Sequence, residues 1–143
     1  MKYHSFLLSL AVLLLAVGCS NKMPLTGTVT FSDDGAPLTQ GVIFFQSDKV
    51  LAQGDIGADG KYAVGTDKMT DGLPRGTYQV YITGTERLSL VEIDRGAMGG
   101  TARTTESPVI DGKYSRAETS GLSFTVDGKT RTFDIQVERY SRR

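Results

Sequence analysis

An all-β sandwich is the fold class that three features of this 143-residue chain predict. Short runs alternate apolar with polar residues, turn-forming clusters separate them at short intervals, and no stretch carries a long helical period. Together they predict seven strands, mostly antiparallel, forming one domain over residues 26–139. The alternation implies that each sheet has one buried and one wet face.

The elements follow in order. Asn21 to Pro24 reads as a polar tether, with pairing starting after Pro24, which cannot donate to a ladder. Leu25 to Phe31 alternates and forms the first strand. Asp33-Asp34-Gly35-Ala36-Pro37 turns the chain. Gly41 to Gln46 is a β-branched and aromatic run, the second strand, and Val50 to Ile56 a weaker third. Asp59-Gly60 predicts a hairpin into Tyr62-Ala63-Val64, because Gly supplies the positive φ of a tight turn. Thr66 to Pro74 is a loop. Gly76 to Thr83 is the clearest strand, with Tyr78, Val80 and Ile82 on one side. Residues 86–121 read as a long flexible connection. Within it Leu88 to Ile93 is a strand or helical turn, Ala97 to Glu106 is mobile, and Tyr114 to Thr119 is a turn of helix. Leu122 to Val126 and Thr132 to Val137 then form a second hairpin around Asp127-Gly128-Lys129. The tail is basic over 140–143. The inward positions are Val29, Phe31, Val42, Phe44, Tyr62, Val64, Tyr78, Val80, Ile82, Leu122, Phe124, Val126, Phe133, Ile135 and Val137.

The N-terminus has a different grammar. Lys2 and His4 precede an apolar run from Phe6 to Val17, broken only by Ser9, and Gly18 precedes Cys19. A basic start, a short apolar region and small residues at the cut are the parts of a signal peptide, here a helix over 1–18. The run is shorter than the roughly 20 residues of a spanning helix. Its close, Ala16-Val17-Gly18-Cys19, resembles the bacterial lipoprotein signal, with Ala16 where Leu is usual. That resemblance implies cleavage before Cys19, a diacylglycerol thioether on Cys19 and acylation of the new amine. Two or three chains hold stably where one is marginal. Residues 19–25 would then be a lipidated tether and the membrane a partner through Cys19. Ser20, in place of Asp, resembles the outer-membrane-sorted class, placing the protein on a periplasmic or surface side.

Cleavage there also subtracts chemistry. The only His and the only Cys are at positions 4 and 19, and the chain has no Trp. A mature domain so cut has no imidazole and no free thiol. Ser-His-Asp and Cys-His systems are excluded, as are His or thiolate zinc sites and an internal disulfide. Sixteen basic and sixteen acidic residues leave no excess to draw nucleic acid.

The remaining constellations rest on carboxylates, aromatics and loops. Asp55, Asp59 and Gly60 take positions 1, 5 and 6 of a calcium loop, but Gly57 and Thr66 stand where positions 3 and 12 need ligands. A turn is the alternative. Asp33-Asp34 and Asp67 with Asp71 would bind a hard cation if their loops met at one end. Paired carboxylates for glycoside chemistry would need a sugar cleft. Gln79, Tyr81 and Thr83 form an outward face suited to sugar or protein contact, or an ordinary exposed surface. Arg139, Arg142 and Arg143 make a basic tip that would touch anionic lipid or polysaccharide, or only solubilise. Ala97 to Glu106 is a candidate binding loop.

Gly27-x-Val29, Gly35-x-Pro37, Gly41-x-Ile43, Asp59-Gly60-x-Tyr62 and Pro74-x-Gly76-x-Tyr78-x-Val80 occur in that order. Over about residues 25 to 84 this resembles the carboxypeptidase regulatory-like domain, a transthyretin-like (prealbumin-like) sandwich. Pro108-x-Ile110, Lys113-Tyr114, Thr119-Ser120-Gly121-Leu122 and Thr132-Phe133-Asp134-Ile135 resemble the later half of small single-domain lipoproteins of the planctomycete type. The resemblance implies a non-catalytic domain without a cofactor, with an unknown envelope protein or glycan as partner. A hydrolase of 5-hydroxyisourate shares the transthyretin fold, but its histidines and C-terminal Tyr-Arg-Gly-Ser have no counterpart here. The expected function is a lipid-anchored binding or structural module of the cell envelope, not an enzyme. The alternative is a calcium-dependent or carboxylate-based carbohydrate-active module.

Overall fold

The computed structural model describes residues 21–91 and 103–142. The expected signal helix, Cys19 and residues 97–102 of the expected mobile segment lie outside the described residues. The strands are β1 (Lys22–Met23), β2 (Thr26–Phe31), β3 (Val42–Gln46), β4 (Leu51–Asp55), β5 (Lys61–Ala63) and β6 (Leu73–Pro74), followed by β7 (Gly76–Thr83), β8 (Arg87–Val91) and β9 (Arg103–Ser107). A 3-10 turn over Gly112–Ser115 and the one-turn helix α1 (Ala117–Ser120) lead to β10 (Leu122–Val126) and β11 (Ile135–Val137). Each of the seven expected runs carries a strand, and β1, β6, β8 and β9 are additional.

Two sheets face one another. One has the order β10-β7-β3-β4, antiparallel throughout, and the other β11-β2-β5. Their inner faces share one core, in which Val29, Ile43, Phe45, Val64, Val80 and Val137 are fully buried. The chain is all-β and its architecture is a sandwich. It matches the alternation in β2 and β7, where every second residue is buried.

In β3 the inward residues are Ile43 and Phe45, not Val42 and Phe44. Four consecutive apolar residues carry no phase, so the neighbour decides it. Ile43 pairs with Ile82 and Phe45 with Val80, both on the buried face of β7. A one-residue slip would turn the whole strand over. Phe44 therefore stands on the outer face and stacks on Tyr81, with ring centroids 4.9 Å apart and planes 9° from parallel.

Both Asp-Gly turns form, but neither closes a hairpin ladder. At the first, Gly60 has φ 78° and Asp59 caps the Lys61 amide. The strands on either side enter different sheets, and one bridge, Gln53 to Gly65, joins them. At the second, the Asp127 carboxylate accepts from the amides of Lys129 and Thr130. The chain then crosses from β10 to the opposite sheet, where β11 runs parallel to β2. The Asp134 side chain accepts from the Thr28 amide, so its carboxylate occupies a ladder position and regular pairing starts only at Ile135. Leu122, Phe124 and Phe133 are half-buried rather than central. Phe124 and Phe133 lie 4.7 Å apart and close the sandwich edge where the sheets separate, with Phe45 edge-on to both.

Residues 86–121 are more structured than expected. β8 pairs with β9, so residues 103–106 are strand. Ile110 and Tyr114 enter the core, and the Ser120 hydroxyl, buried, donates to the Val80 carbonyl. Residues 92–102 lie outside the described residues. Core members from turns and short strands, Leu38 and Leu73, also lack the alternation that marks a strand.

Candidate functional site

The expected tether is not free. β1 pairs antiparallel with β6, Lys22 opposite Pro74 and Met23 opposite Leu73, before Pro24 is reached. Pro24 thus separates two paired segments rather than starting them. A side-chain clamp holds β1 in place. Lys22 Nζ donates to Asp71 Oδ2 at 2.7 Å and also to Asp67. Only 19 % of the Lys22 side chain remains exposed.

Asp71 organises the loop that receives Lys22. Its Oδ1 accepts from the Thr66 amide at 2.6 Å and the Thr66 hydroxyl at 3.2 Å, and its Oδ2 from the amides of Asp67 and Lys68, both at 3.3 Å. Thr66 Oγ1 also reaches the Gly72 carbonyl at 2.9 Å. Short-range loop geometry explains the sequence here. A Cβ on Gly65 would sit 2.0 Å from the Lys68 carbonyl, so only glycine lets the loop fold back so closely. Thr70, in the same loop, has φ 65°, a left-handed conformation. The ammonium of Lys22, then the Thr66 amide, hold the Asp71 carboxyl far below the usual carboxylate range. Asp67 and then Asp71 push Lys22 up. An open cleft of about 330 Å³ lies beside the loop, lined by Gln53, Gly54, Thr66, Met69 and Thr70. Met69 is 84 % exposed at the tip. The ammonium, carboxylates and hydroxyl satisfy one another, an arrangement that fixes where the chain leaves the domain.

This clamp has a signed pH dependence. Asp71 is more acidic folded than unfolded, so its stabilisation is complete above the unfolded value of about 3.9. It is lost as pH falls further through the folded value. Asp71→Asn should therefore lower the urea midpoint at pH 7, and the gap to wild type should narrow progressively below about pH 4. A gap constant across pH would show that the carboxylate charge is not what the loop uses.

The other predicted residues divide between the two ends and one face. Asp33 and Asp34 lie at the opposite end from Asp67 and Asp71, so these loops do not meet. Their partner is Arg139, with Nε 2.8 Å from Asp33 and Nη2 2.8 Å from Asp34, and its guanidinium stacks 3.6 Å over the Phe31 ring. Arg139 is thus a structural clamp on β2 rather than part of a free basic tip. Arg142 is exposed at that far end, and Arg143 lies outside the described residues. Asp59 is taken by Lys61 at 3.3 Å. Among the described residues, no group of three or more His, Cys, Asp or Glu could hold a metal ion. Gln79, Tyr81 and Thr83 stand on the outer face of the four-stranded sheet. Gln79 pairs with Gln46 on β3 and Ser123 on β10, and Tyr81 with Phe44. A polar cleft of about 680 Å³ opens between this face and α1, lined by Gln46, Asp48, Thr77, Gln79 and Glu118. Sequence reasoning noted Asp67 and Asp71 but missed Lys22. No local pattern links residues 45 and 49 positions apart.

Comparison with protein-family models, with curated proteins and with solved structures finds no match to this chain.

Proposed function

We propose that this chain is a non-catalytic, lipid-anchored protein of the cell envelope, a binding or structural module exported behind a lipoprotein signal and acylated on Cys19. The observation that carries this reading is the clamp on Lys22, three residues after Cys19. A clamp this close to Cys19 gives a tethered domain a defined stance. The glycines and aromatics ordered from Gly27 to Val80 support a carboxypeptidase regulatory-like domain. The outer face around Gln46, Gln79, Tyr81 and Phe44 supplies amides, hydroxyls and an aromatic edge, the groups that meet sugar hydroxyls and polar protein surfaces. Its partner on this reading is an envelope glycan or protein.

Crosslinking in intact cells, combined with fatty-acid labelling and fractionation, tests both parts. The wild-type chain should carry label, sediment with membranes and crosslink to a specific envelope partner. Cys19→Ala should lose the label and leave the membrane fraction. Equal membrane retention of the variant would refute the anchor, and only non-specific crosslinks of the wild type would refute the binding role.

A further inference from the structure

The hydrogen-bond phase of the four-stranded sheet decides which backbone groups of β10 are used. At the two ends of the β3–β4 ladder the Ser47 amide donates to the Val50 carbonyl and the Ile56 amide to the Gly41 carbonyl. Bonded and non-bonded pairs alternate in an antiparallel ladder. Ile43 and Phe45 therefore turn their backbone groups to β4, and Val42, Phe44 and Gln46 turn theirs to β7. Tyr81 and Gln79 answer from β7, which leaves Tyr78 and Val80 facing β10, opposite Phe124 and Leu122. The Ser120 hydroxyl, reaching the Val80 carbonyl from the β10 side, agrees with this phase. Ser123 and Thr125 then point their amides and carbonyls away from the sheet. Among the described residues, these four groups have no backbone partner. The other edges of the two facing sheets are engaged. Gln53 on β4 exchanges two bonds with Gly65, the Lys61 carbonyl on β5 accepts from the Gly57 amide, and residues 109–111 pair alongside the chain just beyond β11. β10 also carries no charge, no proline and no bulge, the devices that keep an edge strand from pairing.

The pattern of β10 selects its occupant. Leu122-Ser123-Phe124-Thr125-Val126 reads apolar, hydroxyl, aromatic, hydroxyl, apolar in either direction. A second β10 laid antiparallel about Phe124 sets Leu122 opposite Val126 and Ser123 opposite Thr125, so like meets like on both faces. The phase agrees as well. Ser123 and Thr125 become bonded pairs, in which both outward amides and both outward carbonyls of each copy find partners. Phe124 meets its own copy in a non-bonded pair, the closer kind. We infer that β10 pairs with β10 of a second copy of this chain about a two-fold axis at Phe124, joining two four-stranded sheets into one of eight. On the inner face this brings together the half-buried Phe124 and Phe133 of both copies, which lie 4.7 Å apart within one copy at the edge where the sheets separate. A one-residue slip would set inner side chains against outer ones and lose the bonded pairs. An interface of one strand edge is small and transient, so trapping reads it best.

The register supplies the test. Ser123 of one copy and Thr125 of the other would have Cα atoms about 5.5 Å apart, within disulfide range. Ser123 and its own copy would be diagonal neighbours roughly 7–8 Å apart, beyond that range. Two differently tagged full-length chains are co-expressed, one with Ser123→Cys and the other with Thr125→Cys, and oxidised with copper phenanthroline in intact cells. Both side chains are exposed, so neither change reaches the core. The mixed pair should give at least tenfold more crosslinked heterodimer than either variant paired with itself. Cys19 is the same in every pair compared, and a wild-type pair reports its background, so the result does not depend on the anchor. Adding Thr125→Pro to the Ser123→Cys chain removes an outward amide that β7 does not use. It should cut the crosslink at least fivefold while the chain keeps its resistance to trypsin, since proline is tolerated where an edge amide faces outward. No crosslink in the mixed pair, with both thiols open to maleimide, would overturn the pairing. Equal crosslinking of mixed and self-paired chains would overturn the register and the two-fold contact with it. An undiminished crosslink in the proline variant would overturn the use of the free backbone groups.

Discussion

Phe45→Ala should lower the unfolding free energy by about 3–5 kcal/mol, and Phe44→Ala by only about 1 kcal/mol. The two residues are adjacent and chemically identical, so the contrast isolates which face of β3 is buried. Phe45 is fully buried between the sheets, edge-on to Phe124 and Phe133 and 6.2 Å from the Tyr62 ring. Its removal leaves a cavity that neighbours on two sheets cannot both move to fill. Phe44 loses one stacked partner, Tyr81, on a wet face. Urea denaturation of both variants measures the difference. A larger loss for Phe44→Ala than for Phe45→Ala would mean that the strand is in the other phase.

Gly27→Ala should cost about 1–3 kcal/mol, although Ala favours an ordered backbone more than Gly does. A Cβ at this position would lie 2.0 Å from the Phe133 carbonyl oxygen and 2.7 Å from the Tyr62 hydroxyl. Those two atoms are bonded to each other, Tyr62 donating to Phe133. Burial, with a contribution from Asp134, pushes the Tyr62 phenol well above its usual range, so it keeps that proton at any pH the protein meets. The methyl would displace Phe133, strain that bond and disturb the aromatic edge together. Gly112→Ala is the matched control, because nothing lies within 4 Å of its added Cβ. That change should fall within about 0.5 kcal/mol of wild type. A thermal melt in which both variants behave alike would show that the close approach of Gly27 to Phe133 is not required.

These two positions also show how far the sequence could be read. Alternation in Thr26–Phe31 and Gly76–Thr83 reports a buried face directly, so β2 and β7 and their inward residues were legible. Asp59-Gly60 and Asp127-Gly128 reported turns, and turns are present at both. Turn chemistry is local, however, and does not say whether the flanking strands pair with each other or enter opposite sheets. That outcome depends on the partner offered by β2, which lies far away in sequence. The face of β3 was illegible for a related reason, since Val42-Ile43-Phe44-Phe45 has no polar residue to mark one side. At the candidate site, Asp67 and Asp71 were visible as loop acids. Their engagement by Lys22 was not, because it depends on a two-residue strand too short to leave a pattern.

The parallel pairing of β11 with β2 has a kinetic consequence. The bond from the Thr28 amide to Asp134 joins residues 106 positions apart, and the Val29–Ile135 register spans a similar distance. Contacts so distant in sequence form slowly, because the loop between them must close first. The central strand of one sheet is among the earliest segments of the domain, and its second neighbour is among the last. A chain threaded through a membrane from its N-terminus therefore cannot complete this sheet until nearly all of it has crossed. On the proposed export, the topology itself would hold back completion of this sheet until the crossing is done.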